Sequence, residues 1–180
     1  GDKTGRSVSS AGDVNGDGLA DLIVGANNSN PAGMDDAGRS YVVFGQAGST
    51  QVNLADIVAG SGPSFGAGFV INGEAAGDES GTSVSAAGDV NGDGLADLIV
   101  GAPRSSFLST DAGRSYVVFG AANLSSVDLL DVVAGDEGLG FAITGVFLPD
   151  QSGFSVSAAG DINGDGLADL IVGAPYSDTG

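Results

Sequence analysis

Short apolar runs separated by polar turns alternate along the whole chain. Four kinds of run recur: Ser-Val-Ser-Ala-Ala, Asp-Leu-Ile-Val-Gly-Ala, Ser-Tyr-Val-Val-Phe-Gly and Gly-Phe-Val-Ile-Asn-Gly. Their length, their Val, Ile and aromatic content and their polar boundaries predict β-strands, which we call A, B, C and D. Strands B (22–24) and C (41–44) are apolar without alternation. Both faces of each sheet should therefore be covered, as neighbouring sheets would do.

The runs repeat with a long period. Residues 12–26 and 88–102 are identical, and residues 160–174 differ from them at one position. A second block, Asp-Ala-Gly-Arg-Ser-Tyr-Val-Val-Phe-Gly, occurs at 36–45 and again at 111–120. A period of about 70 to 76 residues is typical of a four-stranded propeller blade with one enlarged loop.

The sequence therefore predicts an all-β fold made of β-propeller blades, each with four antiparallel strands. We assign residues 1–76 to blade one, 77–148 to blade two and 149–180 to the first half of blade three. About two and a half blades cannot close a ring that needs roughly 4 to 8. We therefore expect the chain to be part of a longer propeller, whose remaining blades come from the parent chain or from an assembly.

The connection between strands C and D contains a further, weaker repeated pattern, at 52–60 and 127–135. Its apolar residues recur at about helical spacing and end in glycine. This pattern predicts a short helical turn packed on each blade.

Composition excludes several classes of function. The 180 residues contain no His, Cys or Trp, which excludes zinc fingers, disulfide frameworks and nucleophiles activated by His. The formal net charge of -18 repels nucleic acid and anionic membranes, so we expect neither as a partner. No apolar run approaches the roughly 18 residues of a membrane span. An apolar content of 42% is enough to bury a core.

The acidic residues concentrate in one motif, Asp-x-Asn-x-Asp-Gly-x-x-Asp, which occurs three times between strands A and B. Glycine at position 6 permits the reversal that brings oxygen atoms from positions 1, 3, 5, 7 and 9 to one centre. Hard oxygen ligands of this kind suit calcium, so we predict one Ca²⁺ per loop and three in all. The predicted ligands are Asp13, Asn15, Asp17, Leu19 (carbonyl) and Asp21 in loop one; Asp89, Asn91, Asp93, Leu95 (carbonyl) and Asp97 in loop two; and Asp161, Asn163, Asp165, Leu167 (carbonyl) and Asp169 in loop three.

Two alternative structures share part of this motif. A plain polar turn between strands would also use Asp, Asn and Gly, but three complete copies of the ligand series disfavour it. EF-hand and dockerin loops begin with the same spacing, yet they need a carboxylate at position 12 and a following helix. Position 12 here is Val24, Val100 or Val172, inside a strand-like run.

In order and spacing these motifs resemble the FG-GAP repeat of integrin α-subunit-type β-propellers. The resemblance rests on Gly-x-Ser-Val before the loop (81–84 and 153–156), on the nine-residue loop itself, and on Gly-Ala-Pro after it (101–103 and 173–175). It implies that each loop is a hairpin on the lower face of a usually seven-bladed propeller and that it holds Ca²⁺.

The chain departs from the family pattern at two places. Family members usually have an aromatic residue before the strand A glycine, and here it is replaced by Thr4, Ser80 and Ser152. The first copy also has Gly-Ala-Asn at 25–27 in place of Gly-Ala-Pro. The first departure concerns packing between blades, and neither changes a predicted ligand.

The resemblance also implies a role in adhesion or protein interaction, in a secreted or cell-surface protein. A protein or glycan ligand would bind the face opposite the calcium loops, where the B to C connections differ between repeats. Arg104 and Phe107 are candidate anchors there, although an exposed arginine beside a phenylalanine that buries its own loop would account for both residues without a ligand. Arg39 and Arg114 recur within the repeat, so we expect them to pair with nearby carboxylates.

We expect no catalysis by this chain. A carboxylate-based active site needs acids outside the repeated pattern, and these are Glu74, Glu79, Glu137 and a few Asp residues in connections. Gly-x-Ser-Val-Ser is not a nucleophile elbow. Two alternatives to an adhesion module stay open: a structural scaffold of a surface array without a specific ligand, and a non-catalytic propeller attached to a hydrolase.

Overall fold

The computed structural model describes residues 1–48, 51–62, 66–135 and 138–177. These residues form three β-sheets, in agreement with the predicted all-β fold of partial propeller blades. The strands, in chain order, are β1 (Ser7–Gly12), β2 (Asp21–Ala26), β3 (Arg39–Val43), β4 (Gly68–Asn72), β5 (Ser83–Gly88), β6 (Asp97–Ala102), β7 (Arg114–Val118), β8 (Ser126–Asp128), β9 (Gly140–Thr144), β10 (Ser155–Gly160) and β11 (Asp169–Gly173).

Sheet one has the order β1-β2-β3-β4-β8, sheet two the order β5-β6-β7-β9, and sheet three pairs β10 with β11. The A strands of successive sheets lie next to one another, since β5 contacts both β1 and β10. Neighbouring strands from A to D are antiparallel in sheets one and two, and the A and B strands of sheet three are also antiparallel.

The antiparallel pairing separates two ends of the molecule. Gly12 pairs with Asp21, so the A to B loops leave the sheets at one end, which we call the loop face. Ala26 pairs with Arg39 and Arg39 pairs with Asn72. The B to C and D to A connections therefore lie at the other end, the opposite face.

Sheet two forms the centre of the core. All residues of β6 and β7 are buried, because sheets one and three cover its two sides. The outer faces of sheets one and three are open, with Leu22 54% and Ile171 60% exposed. The predicted covering of both faces thus holds in full for sheet two only.

A fifth strand in sheet one was not predicted. Strand β8 belongs to the C to D connection of the second repeat, yet it pairs in parallel with β4, joining Ile71 to Val127. The Asn72 side chain also donates to Asp128 Oδ1 at 2.8 Å, and Val127 is 2% exposed. Sheet one is therefore completed by residues of the following repeat.

Two short helices lie within the two stretches that were predicted to form helical turns. Helix α1 (Leu54–Ala59) and helix α2 (Leu129–Ala134) each end at a glycine in the left-handed conformation, Gly60 or Gly135. Helix α1 contacts β4 and α2 contacts β9, so each packs on the D strand of its own repeat. We call β8 and α2 together (126–134) the clasp. Within the described ranges, no helix has the length and apolar character that crossing a membrane requires.

Candidate metal centres

Three hairpin loops at the loop face carry the predicted ligands. Each begins after a register shift, at which the glycine ending strand A pairs with the position 9 aspartate that begins strand B. The loops span residues 13–20, 89–96 and 161–168. The repeated sequence therefore has the same starting geometry in all three sheets.

The position 1 aspartate organises each loop. In loop one, Asp13 Oδ1 accepts the N–H groups of Gly16 at 2.8 Å and Asp17 at 3.1 Å. Its Oδ2 accepts the N–H of Gly18 at 2.9 Å. The position 1 aspartates of loops two and three, Asp89 and Asp161, accept the same three bonds. This carboxylate thus bends the backbone around itself.

Positions 3 and 5 tighten the turn. Asn15 Oδ1 accepts the N–H of Asp17 at 2.9 Å, and Asp17 Oδ1 accepts the N–H of Leu19 at 2.8 Å. Loops two and three repeat both bonds, through Asn91 with Asp93 and Asn163 with Asp165. Gly18, at position 6, has φ of 85°, a conformation that a side chain would strain. Leu19 and Leu167, at position 7, are each 38% exposed.

The position 9 aspartate is buried in sheets one and two, where it accepts one hydrogen bond from its loop and one from a residue after strand C. Asp21 Oδ2 accepts the N–H of Val14 at 2.8 Å, and its Oδ1 accepts the N–H of Gly45, after strand C, also at 2.8 Å. Asp97 makes the same pair of bonds. Burial is the main cause that raises the pKa of both carboxyls above the ordinary value. Asp169, in sheet three, accepts the equivalent bond from the N–H of Ile162 at 2.7 Å, and it also accepts from Asn163.

The donor set of each loop fits calcium, because its carboxylate, amide and main-chain atoms are all hard oxygen ligands. Within the described ranges, however, no three acidic side chains converge as a metal centre. In loop one the carboxylates at positions 1, 5 and 9, which are Asp13, Asp17 and Asp21, each accept backbone N–H groups. The ligand assignment remains a prediction.

The opposite face holds a buried ionic cluster that joins two sheets. Arg114, 1% exposed, donates to Glu74 Oε2 from the D to A connection of the first repeat. The Tyr116 hydroxyl donates to the same oxygen, and burial together with this contact raises the pKa of Tyr116. The expected pairing of Arg114 with a carboxylate is thus present. Arg39 instead donates to the amide oxygen of Asn72 at 2.8 Å.

The role of Glu74 was not predicted, because the sequence marks it only as an acid outside the repeat. The available signal was Arg114 itself, since an arginine in an otherwise apolar strand needs a buried partner. The buried aspartate Asp78 lies close by, and it recurs at Asp150 in the next repeat; they are 5% and 6% exposed.

A cavity of about 500 Å³ opens beside this cluster. It is lined by Glu74, Asp78, Arg104, Phe107 and Asp111, among others. Arg104 is exposed, as predicted, and it pairs with Glu79 at 3.1 Å. Phe107 does not bury its loop: it is 61% exposed, and one ring face lies 4.1 Å from the Arg114 guanidinium carbon.

Asp78 gives this region a pH dependence that can be tested. Burial, followed by the charge of Glu74, raises the pKa of Asp78 from 3.8 to about 6. Because this pKa is higher in the folded than in the unfolded chain, the stabilising contribution is complete below about pH 4 and is lost as pH rises through 6. Asp78→Asn should remove that loss. The free energy of unfolding of the variant should therefore exceed that of the parent by about 3 kcal/mol at pH 8 and equal it at pH 4. Urea unfolding across this range checks it, and parallel pH profiles would contradict it.

Blades arranged side by side, each with an Asp-rich hairpin loop at one end, define a β-propeller repeat protein. The family model of the FG-GAP repeat matches residues 4–43, 80–118 and 152–180, and the chain belongs to this family. The resemblance found in the sequence is therefore confirmed.

Relatives of two kinds share this repeat. The chain is 31% identical over 171 residues to Integrin alpha-PS2 of Drosophila melanogaster, which covers 92% of this chain and 11% of the relative. It is 30% identical over 174 residues to Integrin alpha ina-1 of Caenorhabditis elegans, and the match covers 91% of this chain and 14% of the relative. It is 31% identical over 192 residues to Phosphatidylinositol-glycan-specific phospholipase D of Bos taurus, with 99% and 19% covered. The chain thus spans less than a fifth of these relatives.

Proposed function

We propose that the chain is a calcium-binding, non-catalytic FG-GAP propeller segment of a secreted or cell-surface protein of adhesion or protein interaction. The observation that carries the proposal is the repetition of one loop geometry, with the same three N–H bonds to the position 1 aspartate in all three loops. Similarity to integrin α subunits supports the adhesion class. With the affinity usual in extracellular modules, the loops would fill only at extracellular calcium levels, so the calcium proposal entails this location.

The side chains of each loop have separate tasks in this proposal. Position 1 holds the turn through three N–H bonds, positions 3 and 5 set its curvature, and position 9 ties the loop to strand C. A bound calcium ion would neutralise part of the negative charge that three carboxylates bring to each loop. Because nine of the 23 acidic residues lie in these loops, the same oxygens that hold the turns also concentrate the charge of the chain.

Isothermal titration calorimetry with CaCl₂ tests the metal proposal. The chain should bind three Ca²⁺ ions, and each of the variants Asp17→Asn, Asp93→Asn and Asp165→Asn should bind two. Asparagine keeps an oxygen that can accept the following N–H bond, such as Leu19 N–H to Asp17, so the turn should survive while the charge is lost. MgCl₂ is the control and should bind more weakly, since magnesium demands a smaller octahedral site. No heat of binding with calcium would overturn the proposal.

For the ligand of the opposite face we propose a protein or a glycan, bound at the cavity beside Phe107. The exposed phenylalanine and Arg104 supply an apolar surface and a charge at the rim of a 500 Å³ cavity. A surface coated with the chain should retain cells, and Arg104→Ala with Phe107→Ala should reduce that retention at unchanged calcium binding. The control Ile171→Ala removes an equally exposed apolar side chain of sheet three. Equal loss in the control would contradict the assignment.

A non-catalytic propeller attached to a hydrolase is the second candidate, and the similarity to a phospholipase D favours it. The two non-repeated glutamates in the described part of the chain are both engaged, Glu74 by Arg114 and Tyr116 and Glu79 by Arg104. Glu137 lies outside the described residues. Both candidates therefore assign no chemistry to this chain, and hydrolysis of a phosphatidylinositol glycan by the chain alone would contradict both.

A further inference from the structure

Successive metal loops are joined by a backbone hydrogen bond. The N–H of Ala96 in loop two donates to the main-chain carbonyl of Asp13 in loop one at 3.0 Å. The N–H of Ala168 in loop three donates to the carbonyl of Asp89 in loop two at 2.9 Å. In both cases the donor is position 8 of one loop and the acceptor is position 1 of the loop before it.

The bond connects predicted ligands directly. Ala96 lies between the predicted ligands Leu95 and Asp97 of its own loop, and it holds the residue whose carboxylate organises loop one. A change that fixes positions 7 and 9 of loop two therefore fixes Ala96, and through it the backbone of Asp13. The same path runs from loop three to loop two.

Close packing accompanies each bond. A Cβ at Gly12 would lie 2.5 Å from the Ala96 Cβ, so no side chain fits between loops one and two. A Cβ at Gly16, also in loop one, would lie 3.1 Å from the Leu95 side chain. Loops two and three repeat these approaches with 2.6 and 3.2 Å, at Gly88 and Gly92. The glycines thus let neighbouring loops pack directly against one another.

We propose that the loops bind calcium as a nearest-neighbour chain, in which an ion in one loop raises the affinity of the adjoining loops and acts on a non-adjoining loop only through the loop between them. This inference rests on the proposed calcium function and concerns its regulation. Ordering the backbone of one loop removes part of the entropy cost of ordering the next, which gives positive coupling. Repulsion between ions opposes it, but salt screens that repulsion and leaves the hydrogen bond and the packing in place.

Site-resolved NMR titration of the chain with CaCl₂ tests the proposal, with the amides of Gly16, Gly92 and Gly164 as reporters of loops one, two and three. Asp165→Asn, which disables loop three, should weaken loop two, by at most the coupling factor of about fivefold that a fully occupied neighbour supplies, and should shift loop one much less. Asp17→Asn should likewise weaken loop two and shift loop three much less. Asp93→Asn should weaken both outer loops. Raising NaCl should strengthen the coupling, since it removes the opposing repulsion.

Ala96→Pro tests the connection itself, since proline has no N–H to donate. Loop two should still bind calcium, while its coupling to loop one weakens because only the packing at Gly12 and Gly16 is left, and its coupling to loop three remains. Ala20→Pro is the matched control, because Ala20 is the same position in loop one and should leave all couplings intact. If every intact loop kept its parental calcium affinity in all of these variants, the coupling proposal would be overturned and the calcium function would stand. Absence of any calcium-dependent shift would overturn the proposed function with it.

Discussion

Removing calcium is expected to lower the free energy of unfolding of the chain by about 4 kcal/mol. A site with a dissociation constant of about 0.1 mM, within the range of extracellular modules, contributes about 1.4 kcal/mol at 1 mM free calcium, and three sites contribute about three times as much. The physical cause is the set of three carboxylates in each loop, which repel one another and tie the turn to strand C at Asp21 and Asp97. Urea unfolding in 1 mM CaCl₂ and in EGTA measures the difference.

The matched control for this experiment carries Asp17→Asn, Asp93→Asn and Asp165→Asn together. Its stability should be the same in calcium and in EGTA, because every loop lacks one carboxylate ligand. In EGTA it should be at least as stable as the parent, since three like charges are gone. Superimposable unfolding curves of the parent chain in the two buffers would contradict the expectation.

Glu74→Ala is expected to destabilise the chain by about 3 kcal/mol, the second large effect. Glu74 is the partner of a guanidinium that is 1% exposed and of the Tyr116 hydroxyl. Removing one member of a buried pair leaves the other charged and unpaired, which costs roughly 3 to 5 kcal/mol. We expect the low end, because Asp78 lies near enough to Arg114 for the two charges to interact. Chemical denaturation at pH 7 measures it.

Two further variants separate burial from charge at this site. Glu74→Gln keeps an oxygen for Tyr116 and Arg114 and should cost less than the alanine variant. Arg104→Ala breaks an ion pair whose arginine is 56% exposed, so it should cost less than about 1 kcal/mol. Similar losses for Glu74→Ala and Arg104→Ala would show that the buried pair is not special, and the assignment would fail.

The parts of the structure that sequence could predict are local. The strands, the hairpin loops and the helical turns each depend on residues close in the chain, such as the glycine at 18 that permits the reversal after Asp17. The repeat made these signals stronger, because the same pattern had to form the same structure three times. The family followed from the same motifs.

What the sequence did not predict depends on contacts between repeats. Val127 lies at the start of the stretch 127–135, whose pattern predicts a helical turn, yet it forms a strand because it pairs with Ile71 at the edge of β4. Glu74 gains its role from Arg114, 40 positions later. Phe107 packs on the guanidinium of Arg114, which comes from another strand, and it stays 61% exposed. Position 9 of the loop was predicted as a ligand, but the hydrogen bonds that it accepts from Gly45 and Gly120 were not predicted.

The clasp has a consequence for how such a chain can lengthen during evolution. The outer strand of one repeat pairs with the next. Phe69 in β4 is fully buried, in one core cluster with Val127, Leu129 and Val132 of the clasp, whereas Phe141 at the same place in β9 is 41% exposed. A gene duplication that adds one whole repeat brings a new clasp with each new outer strand, whereas the gain of a lone hairpin would leave a bare edge prone to aggregation. Whole-repeat duplication is therefore the viable step, and the identity of residues 12–26 and 88–102 is the trace that such a step leaves.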